Sequence, residues 1–306
     1  LAIKGIAMEH RKRGKHIITT EVEHDSVRNS FKQLEELGFD VTYIPVDGEG
    51  RVNPLDVEQA IRFDTILVSV IHINNEVGTV QPIREIGRLL KDYPKIYFHV
   101  DHVQGVGKLP LNFYECGIDL CTISGHKFHG LKGTGALFIR DGIKISSLLS
   151  GGGQETERRS GTENVAGMVA MAKALRMTLD LHEQNFAQLT EILGTIKSGL
   201  KQLPDVCIHS PEENAAPHIL NFSIKGIKSE VFVHALEEKG IYVSTTSACS
   251  SKRNAPSKTL LAMGVPVEQA ERAIRISLSY ENTIQEAEIL IQAVSESVKR
   301  LREVMN

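Results

Sequence analysis

Several protein classes are excluded by what the sequence lacks. Its 306 residues contain no apolar run long enough to cross a membrane and no signal peptide. The 35 Lys and Arg residues are balanced by 38 Asp and Glu residues, and a net charge of -3 provides no basic surface for nucleic acid. Internal repeats and low-complexity tracts are also absent. A chain of this length buries a sizeable core and is expected to form two domains.

Cysteine is scarce as well. The chain has four cysteines, Cys116, Cys121, Cys207 and Cys249. They have neither paired CxxC spacing nor the density of a disulfide-rich protein. A reducing, cytoplasmic setting is the simplest interpretation. Cys121 lies in an apolar strand pattern and is expected in the core. The small, polar residues around Cys249 predict an exposed and mobile loop that carries an accessible thiol.

The chain begins at Leu1, without an initiator methionine. The first 14 residues have the pattern of an amphipathic helix that Gly14 ends, and no N-cap residue precedes it. We interpret the chain as a fragment of a longer protein.

From Lys15 onward, strand and helix patterns alternate. This order predicts an α/β fold with a mostly parallel sheet that helices cover on both faces. The predicted strands are residues 16–20, 41–46, 65–72, 96–100, 119–123 and 135–140, and the helices between them include 25–37, 54–62 and 82–91.

A smaller α/β domain is predicted to follow a long helix over residues 165–181. We place the boundary near residue 182, so that a large domain over 1–182 precedes a small C-terminal domain over 183–306. In the small domain, strands are predicted at 206–209, 218–224, 241–243 and 273–279, and helices at 186–203, 229–240 and from 284 to the end.

The heptapeptide Ser-Gly-His-Lys-Phe-His-Gly, residues 124–130, follows one of the apolar strands. Proteins with α/β folds place their chemistry at such strand ends. A partly desolvated Lys127 would be an amine able to form an imine with an aldehyde, and Ser124 and His126 would donate hydrogen bonds to a phosphate. Alone, the motif is a weak signal, because most lysines are solvated surface charges.

Other polar residues also stand just past predicted strands. Each has a simpler interpretation, with His24 starting a helix, Asn75 closing a turn and Asp101 capping the segment after its strand. Because the ends of parallel strands lie along one edge of a sheet, we nevertheless expect the set to converge on one crevice. Its members are His24, Asn75, Asp101, Gln104, His126 and Lys127.

A metal hydrolase is an alternative. His99, Asp101 and His102 offer nitrogen and oxygen ligands of the kind that zinc or iron binds, with His126 and His129 further along the chain. His102 would face away from the first two unless the strand has ended, and such a site leaves the lysine of the heptapeptide unexplained.

Arg275 stands inside an otherwise apolar strand pattern. A buried arginine requires an anionic partner. A bidentate grip on a substrate carboxylate and a structural salt bridge satisfy that requirement equally well.

Taken together, these residues resemble those of the pyridoxal-phosphate-dependent cysteine desulfurases, in order along essentially the whole chain. The resemblance implies a homodimeric enzyme of the aspartate-aminotransferase-like fold that removes sulfur from L-cysteine and leaves L-alanine. The motifs are His24 in Glu-His, Asn75 in His-x-Asn-Asn-Glu-x-Gly, Asp101 in His-Val-Asp-x-x-Gln, Lys127 in Ser-Gly-His-Lys, Cys249 in Ser-Ala-Cys-Ser and Arg275 in Ile-Arg-x-Ser-Leu.

The resemblance also implies a role for each residue. Lys127 binds the cofactor covalently and then acts as the base at the substrate's α-carbon, while Asp101 keeps the pyridine nitrogen protonated. His24 stacks on the cofactor ring and shuttles protons. The other cofactor contacts implied are Gln104 and Asn75, near the phenolic oxygen or the substrate. Ser124 and His126 bind the phosphate, helped by Thr162 of the partner subunit.

For the substrate, the resemblance implies that Arg275 binds the carboxylate. The thiolate of Cys249 attacks the substrate's sulfur and leaves a persulfide for an acceptor protein. Such acceptors serve iron-sulfur cluster assembly or tRNA thiolation.

One family feature is missing, a Gly-Thr loop before the first helix whose backbone amides bind the cofactor phosphate. We therefore expect this chain to bind the cofactor weakly or not at all. A selenocysteine lyase, an aminotransferase and a catalytically silent binding module for a sulfur acceptor are the alternatives. The cysteine loop argues against an aminotransferase, which needs no nucleophile there.

Overall fold

A computed structural model describes residues 1–245 and 256–305 of the chain. The chain divides into two compact units. The first comprises residues 1–46, 51–74 and 81–180, and the second comprises 47–50, 75–80 and 181–306. Within the described residues, no helix is both long and apolar enough to span a membrane.

The first unit is built on a six-stranded sheet. Its strands are β1 (His16–Thr20), β2 (Asp40–Ile44), β3 (Thr65–Ile71), β4 (Tyr97–Asp101), β5 (Leu120–Ser124) and β6 (Gly135–Ile139). Their order is β2-β1-β3-β4-β5-β6, with β1 to β5 parallel and β6 antiparallel to β5. The predicted mostly parallel sheet is confirmed.

Helices cover both faces of this sheet. Ile17 of β1 belongs to one apolar cluster, whereas the next residue, Ile18, belongs to another, because successive strand residues point to opposite faces. The first cluster includes residues of α1 and α2, and the second includes residues of α3 and α4. The helices of this unit are α1 (Ala2–His10), α2 (Asp25–Glu36), α3 (Pro54–Gln59), α4 (Ile83–Leu90) and α5 (Val165–Asp180).

The prediction that Gly14 ends the first helix was wrong, since α1 already ends at His10. A glycine is required at position 14 for a different, steric reason. A Cβ atom at this position would lie 2.0 Å from the carbonyl oxygen of Asp64, so the backbone there passes too close for any side chain.

The second unit contains an antiparallel sheet. Its strands are β7 (Val206–Ile208), β8 (Ile219–Ile224), β9 (Ser244–Thr245) and β10 (Ala273–Ser277), in the order β7-β8-β10-β9. Its helices are α6 (His182–Lys201), α7 (Ser229–Glu237), α8 (Lys258–Ala262), α9 (Val267–Glu271) and α10 (Ile284–Met305).

The strand predicted over residues 241–243 was wrong. Gly240 adopts the left-handed conformation, with φ of 77°, and the N–H of Ile241 donates to the carbonyl of Leu236. The backbone there caps the end of α7, and the strand begins only at Ser244. The short helices α8 and α9 were not predicted, because five residues are too few for a helical period to show.

The loop after β1 is held by a buried carboxyl group. Oε1 of Glu23 accepts hydrogen bonds from Oγ1 of Thr20 and from the N–H of Ile71, both at 2.8 Å. Oε2 is buried and has no hydrogen-bond partner among the described residues. Burial raises the pKa of Glu23 to about 8, so the group is protonated when the protein is folded at neutral pH.

We expect Glu23→Gln to remove a component of the pH dependence of stability. A carboxyl whose pKa is about 8 when folded and near its ordinary value when unfolded lowers the free energy of unfolding as the pH rises through that window. The full effect is on the order of 5 kcal/mol. Glutamine keeps the acceptor and stays neutral.

Urea unfolding of both proteins at about pH 5 and about pH 9 measures the difference. On going from about pH 5 to about pH 9, the free energy of unfolding should fall more in the original protein than in Glu23→Gln. Equal pH dependence in the two proteins would contradict a buried, protonated Glu23.

Candidate active site

Three parallel strands of the first unit end beside the predicted site residues. Asp101 is the last residue of β4 and Ser124 the last residue of β5, while His24 follows β1 by four residues. The carboxyl ends of parallel strands lie along one edge of the sheet. The fold therefore places these three residues on the same edge.

Asp101 is the buried acidic group of this edge. Its side chain is only 5% exposed, and Oδ1 accepts a hydrogen bond of 3.0 Å from the N–H of Val103. Burial raises the pKa of Asp101, and the bond from Val103 and the positive charges of His24 and Lys127 lower it in part. His24 and Lys127 thus lie within electrostatic range of Asp101.

Lys127 lies on a single 3-10 turn, Gly125–Phe128, that continues directly from β5. Gly125 and Phe128 are buried in this turn, whereas His126 and Lys127 are exposed. The expected partial desolvation of Lys127 was therefore wrong for this structure, because the inward positions of the turn belong to its neighbours. Gly125 is required there, since a Cβ atom would lie 2.4 Å from Oγ1 of Thr134.

The residues predicted to bind phosphate are next to each other. Oγ of Ser124 and Nδ1 of His126 are 2.8 Å apart and share a hydrogen bond. The pKa of His126 is lowered by partial removal of its ring from water and, to a smaller extent, by Coulombic repulsion from the basic side chains of Lys127, Lys132 and His24. Positive charge accumulates at this end of β5, and such a place favours an anion.

His24 has the structural role that was considered as its alternative. It is the N-cap of α2, and Nδ1 accepts a hydrogen bond of 3.2 Å from the N–H of Ser26. That contact holds the ring in place and does not conflict with a cofactor role. Gln104 is half-buried three residues after Asp101, and Thr162 is exposed in the segment before α5.

Asn75 and Arg275 belong to the second unit, where they are in direct contact. Nη1 of Arg275 donates to the carbonyl of Asn75 at 3.0 Å. Arg275 lies on β10, opposite Asn221 of β8 and Ser244 of β9. Nε of Arg275 is buried without a hydrogen-bond partner among the described residues, which leaves a donor for an anion.

The cysteines separate into buried and exposed thiols. Cys116 and Cys121 are buried, which confirms the predicted core position of Cys121, and Cys207 is exposed. Cys249 lies outside the described residues. Its prediction as the accessible thiol is untested.

The histidines of the metal alternative do not converge in the structure. Nδ1 of His99 is 2.8 Å from Oγ of Ser69, whereas Nδ1 of His102 pairs with Nδ1 of His72 at 2.8 Å. Over residues 1–245 and 256–305, no three His, Cys, Asp or Glu side chains form a metal-binding group.

Two carboxylates next to predicted site residues were missed. Glu23 directly precedes His24 and is buried, and Glu76 directly follows Asn75 and bonds to Ser257. The signal was present in the dipeptides Glu-His and Asn-Glu just past two strands. Only the tertiary contacts distinguish such acids from ordinary surface residues.

Comparison with known proteins identifies the family. Residues 1–290 match the family model described as aminotransferase class-V. A NifS/IcsS protein homolog of Lactobacillus delbrueckii is 48% identical over 297 residues, which are 96% of this chain and 77% of that protein. Cysteine desulfurase IscS of Dictyoglomus turgidum is 44% identical over 305 residues, 99% of this chain and 77% of that protein.

Solved structures agree with these relatives. A NifS-like protein superimposes with a TM-score of 0.90 at 36% identity, over 97% of this chain and 79% of its own. A structure titled SspA in complex with cysteine gives a TM-score of 0.77 at 35% identity, over 90% of this chain and 77% of its own. The chain therefore belongs to the cysteine desulfurase family of the pyridoxal-phosphate-dependent class-V aminotransferases.

Proposed function

We propose that this chain, supplied with enough pyridoxal phosphate to offset the weak binding expected without the Gly-Thr loop, converts L-cysteine to L-alanine and holds the sulfur as a persulfide on Cys249, from which an acceptor protein takes it. The observation that carries the proposal is the cluster of His24, Asp101, His126 and Lys127 at one edge of a parallel sheet. Relatives named cysteine desulfurases and a similar structure titled as a complex with cysteine support the choice of substrate.

The residues of this edge fit pyridoxal phosphate. Asp101 offers a buried carboxylate to the ring nitrogen, and Lys127 offers an exposed amine to the aldehyde. Ser124 and His126, 2.8 Å apart, offer donors to the phosphate. When bound, the cofactor supplies an electron sink for the negative charge that develops at the substrate's α-carbon.

Three side chains complete the cofactor contacts in our proposal. Gln104 and Asn75 would contact the phenolic oxygen or the substrate, and Thr162 of the partner subunit would contact the phosphate. The half-buried position of Gln104 beside Asp101 and the exposed position of Thr162 support these roles.

In the proposed reaction, Lys127 would remove the proton from the α-carbon of L-cysteine, and His24 would carry protons to and from the substrate. The thiolate of Cys249 forms a bond to the substrate's sulfur as the carbon–sulfur bond breaks. The electrons of that bond remain on carbon, which is protonated to give alanine.

Arg275 is proposed to bind the substrate carboxylate. Its Nη1 is held by the carbonyl of Asn75, and its Nε lacks an acceptor among the described residues. A buried donor without a partner costs about 1–3 kcal/mol. A carboxylate that accepts from Nε would recover that free energy, which supports Arg275 as the anion site.

We also propose the setting of the reaction. Residues 1–182 form the domain that binds the cofactor, and residues 183–306 form the small domain that carries the nucleophile. The division of the chain into compact units between residues 180 and 181 supports this boundary.

The three free thiols described, Cys116, Cys121 and Cys207, support a cytoplasmic setting. The acceptor in our proposal serves iron-sulfur cluster assembly or tRNA thiolation.

We expect Cys249→Ala to abolish persulfide formation. The protein, pyridoxal phosphate and L-cysteine are incubated together, the intact mass is measured, and alanine is assayed in the same tube. The original protein should gain one sulfur atom and release alanine. The variant should do neither, because no thiolate remains at position 249 to take the sulfur.

Cys207→Ala is the matched control, because Cys207 is an exposed thiol on β7 that has no role in the proposed reaction. It should behave like the original protein. If Cys207→Ala lost the added sulfur and Cys249→Ala kept it, the persulfide would form on Cys207, and the role of Cys249 would be contradicted.

The surface of α5 supports a homodimer. Only Gly167 and Thr178 of this helix are buried. Val165 and Val169 are 65% and 64% exposed, and Leu179 is 54% exposed, an unusual apolar surface for a helix. A second copy of the chain that covers α5 would also bring its Thr162, which lies three residues before this helix, close to the contact.

We expect Val169→Asp to shift the protein from dimer to monomer, because a carboxylate cannot be buried in an apolar contact without a partner. Sedimentation velocity measures the change, with an expected weakening of association of about tenfold or more. Val231→Asp on α7, where Val231 is 48% exposed, is the matched control and should leave the mass unchanged. Unchanged association in Val169→Asp would contradict the use of α5.

A further inference from the structure

A carboxylate in the second unit bonds to two hydroxyl groups. Glu76 follows Asn75 in the segment over residues 75–80. Its Oε2 accepts a hydrogen bond from Oγ of Ser257, and its Oε1 accepts one of 3.3 Å from Oγ1 of Thr259. Ser257 is the N-cap of α8, and its Oγ also accepts from the N–H of Leu260 at 3.1 Å. Glu76 thereby joins its segment to the start of α8.

The backbone of this segment is bonded to the sheet of the same unit. The carbonyl of Glu76 accepts from Nδ2 of Asn221 at 3.1 Å, and the carbonyl of Val77 accepts from Oγ of Ser210 at 2.7 Å. Gly78 adopts φ of 80°, and a Cβ atom there would lie 3.0 Å from the carbonyl oxygen of Ile219. These contacts attach the segment to β8 and to the residues around it.

The same segment holds the guanidinium group of Arg275. The carbonyl of Asn75, one residue before Glu76, accepts from Nη1 of Arg275 at 3.0 Å. Arg275 also stands opposite Asn221, the residue that bonds to the carbonyl of Glu76. The position of the Asn75 carbonyl therefore sets the direction of the guanidinium group, and the side chain of Glu76 anchors that carbonyl.

We propose that Glu76 is a positioning residue for the substrate carboxylate and acts through Asn75 and Arg275. This inference rests on the proposed role of Arg275. A carboxylate suits the position because it accepts from two hydroxyl groups at once. An amide offers one acceptor oxygen, so one of the two hydroxyls must instead accept from its NH₂ group.

The test compares kinetic constants for L-cysteine in the holoenzyme. Glu76→Ala should raise KM about tenfold with kcat changed by less than about twofold, because ground-state and transition-state binding of the carboxylate are lost equally. Glu76→Gln keeps one acceptor and should raise KM by a smaller factor. It also serves as the second variant if the alanine protein does not fold.

Glu286→Ala is the matched control. Glu286 is another carboxylate of the second unit with two hydrogen bonds, from the N–H of Thr283 and from Nδ2 of Asn282, but it lies at the start of α10. Its loss should leave KM unchanged. Equal effects of Glu76→Ala and Glu286→Ala on KM would overturn the inference, since both would then act through general stability.

Arg275→Gln separates this inference from the proposed function. If Arg275 binds the carboxylate, Arg275→Gln raises KM, and adding Glu76→Ala to it raises KM no further. A KM that rises in Arg275→Gln but not in Glu76→Ala or Glu76→Gln overturns the role of Glu76 alone. A KM that stays unchanged in Arg275→Gln overturns the role of Arg275 and the inference together.

Discussion

The burial of one acidic side chain, Asp101, organises the first unit. Asp101 ends a strand in the middle of the sheet, where removal from water opposes its ionisation. The Val103 N–H and the positive charges of His24 and Lys127 favour the ionised form. His24 and Lys127 follow the ends of β1 and β5, so the parallel order of these strands with β4 brings both side chains into electrostatic range of Asp101. The two apolar layers on the sheet hold these strand ends in place.

In the second unit, the corresponding feature is the positive charge of Arg275. Arg275 lies in a strand whose neighbours are apolar, and the structure supplies a backbone carbonyl as its partner where a carboxylate would have neutralised it. A neutral acceptor fixes the direction of a guanidinium group and leaves its charge available. The carboxylate of Glu76 accepts hydrogen bonds from the hydroxyls of Ser257 and Thr259, two residues at the start of α8. In our proposal, Glu76 thereby fixes the Asn75 carbonyl and, through it, the direction of Arg275.

Much of this fold could be predicted from the sequence, because its strands are short, buried apolar runs that end in polar residues. β3 is buried at every position, and its predicted and observed bounds differ by one residue. The prediction failed where geometry depends on distant contacts. The strand over 241–243 gave way to a helix cap, and Lys127 proved exposed because Gly125 and Phe128 occupy the inward positions of its turn. The burial of Glu23 depends on Thr20 and on the distant Ile71, which no local pattern reveals.

The most direct test of the account is the attachment point of the cofactor. The chain is incubated with excess pyridoxal phosphate, reduced with borohydride, digested and mapped by mass spectrometry. We predict a pyridoxyl group on Lys127 that Lys127→Ala removes. Lys108 is the internal competitor, because burial lowers its pKa to about 8 and so favours the neutral amine that forms imines. A pyridoxyl group on Lys108 in place of Lys127, or labelling that Lys127→Ala leaves unchanged, would contradict the assignment of the cofactor to this edge of the sheet.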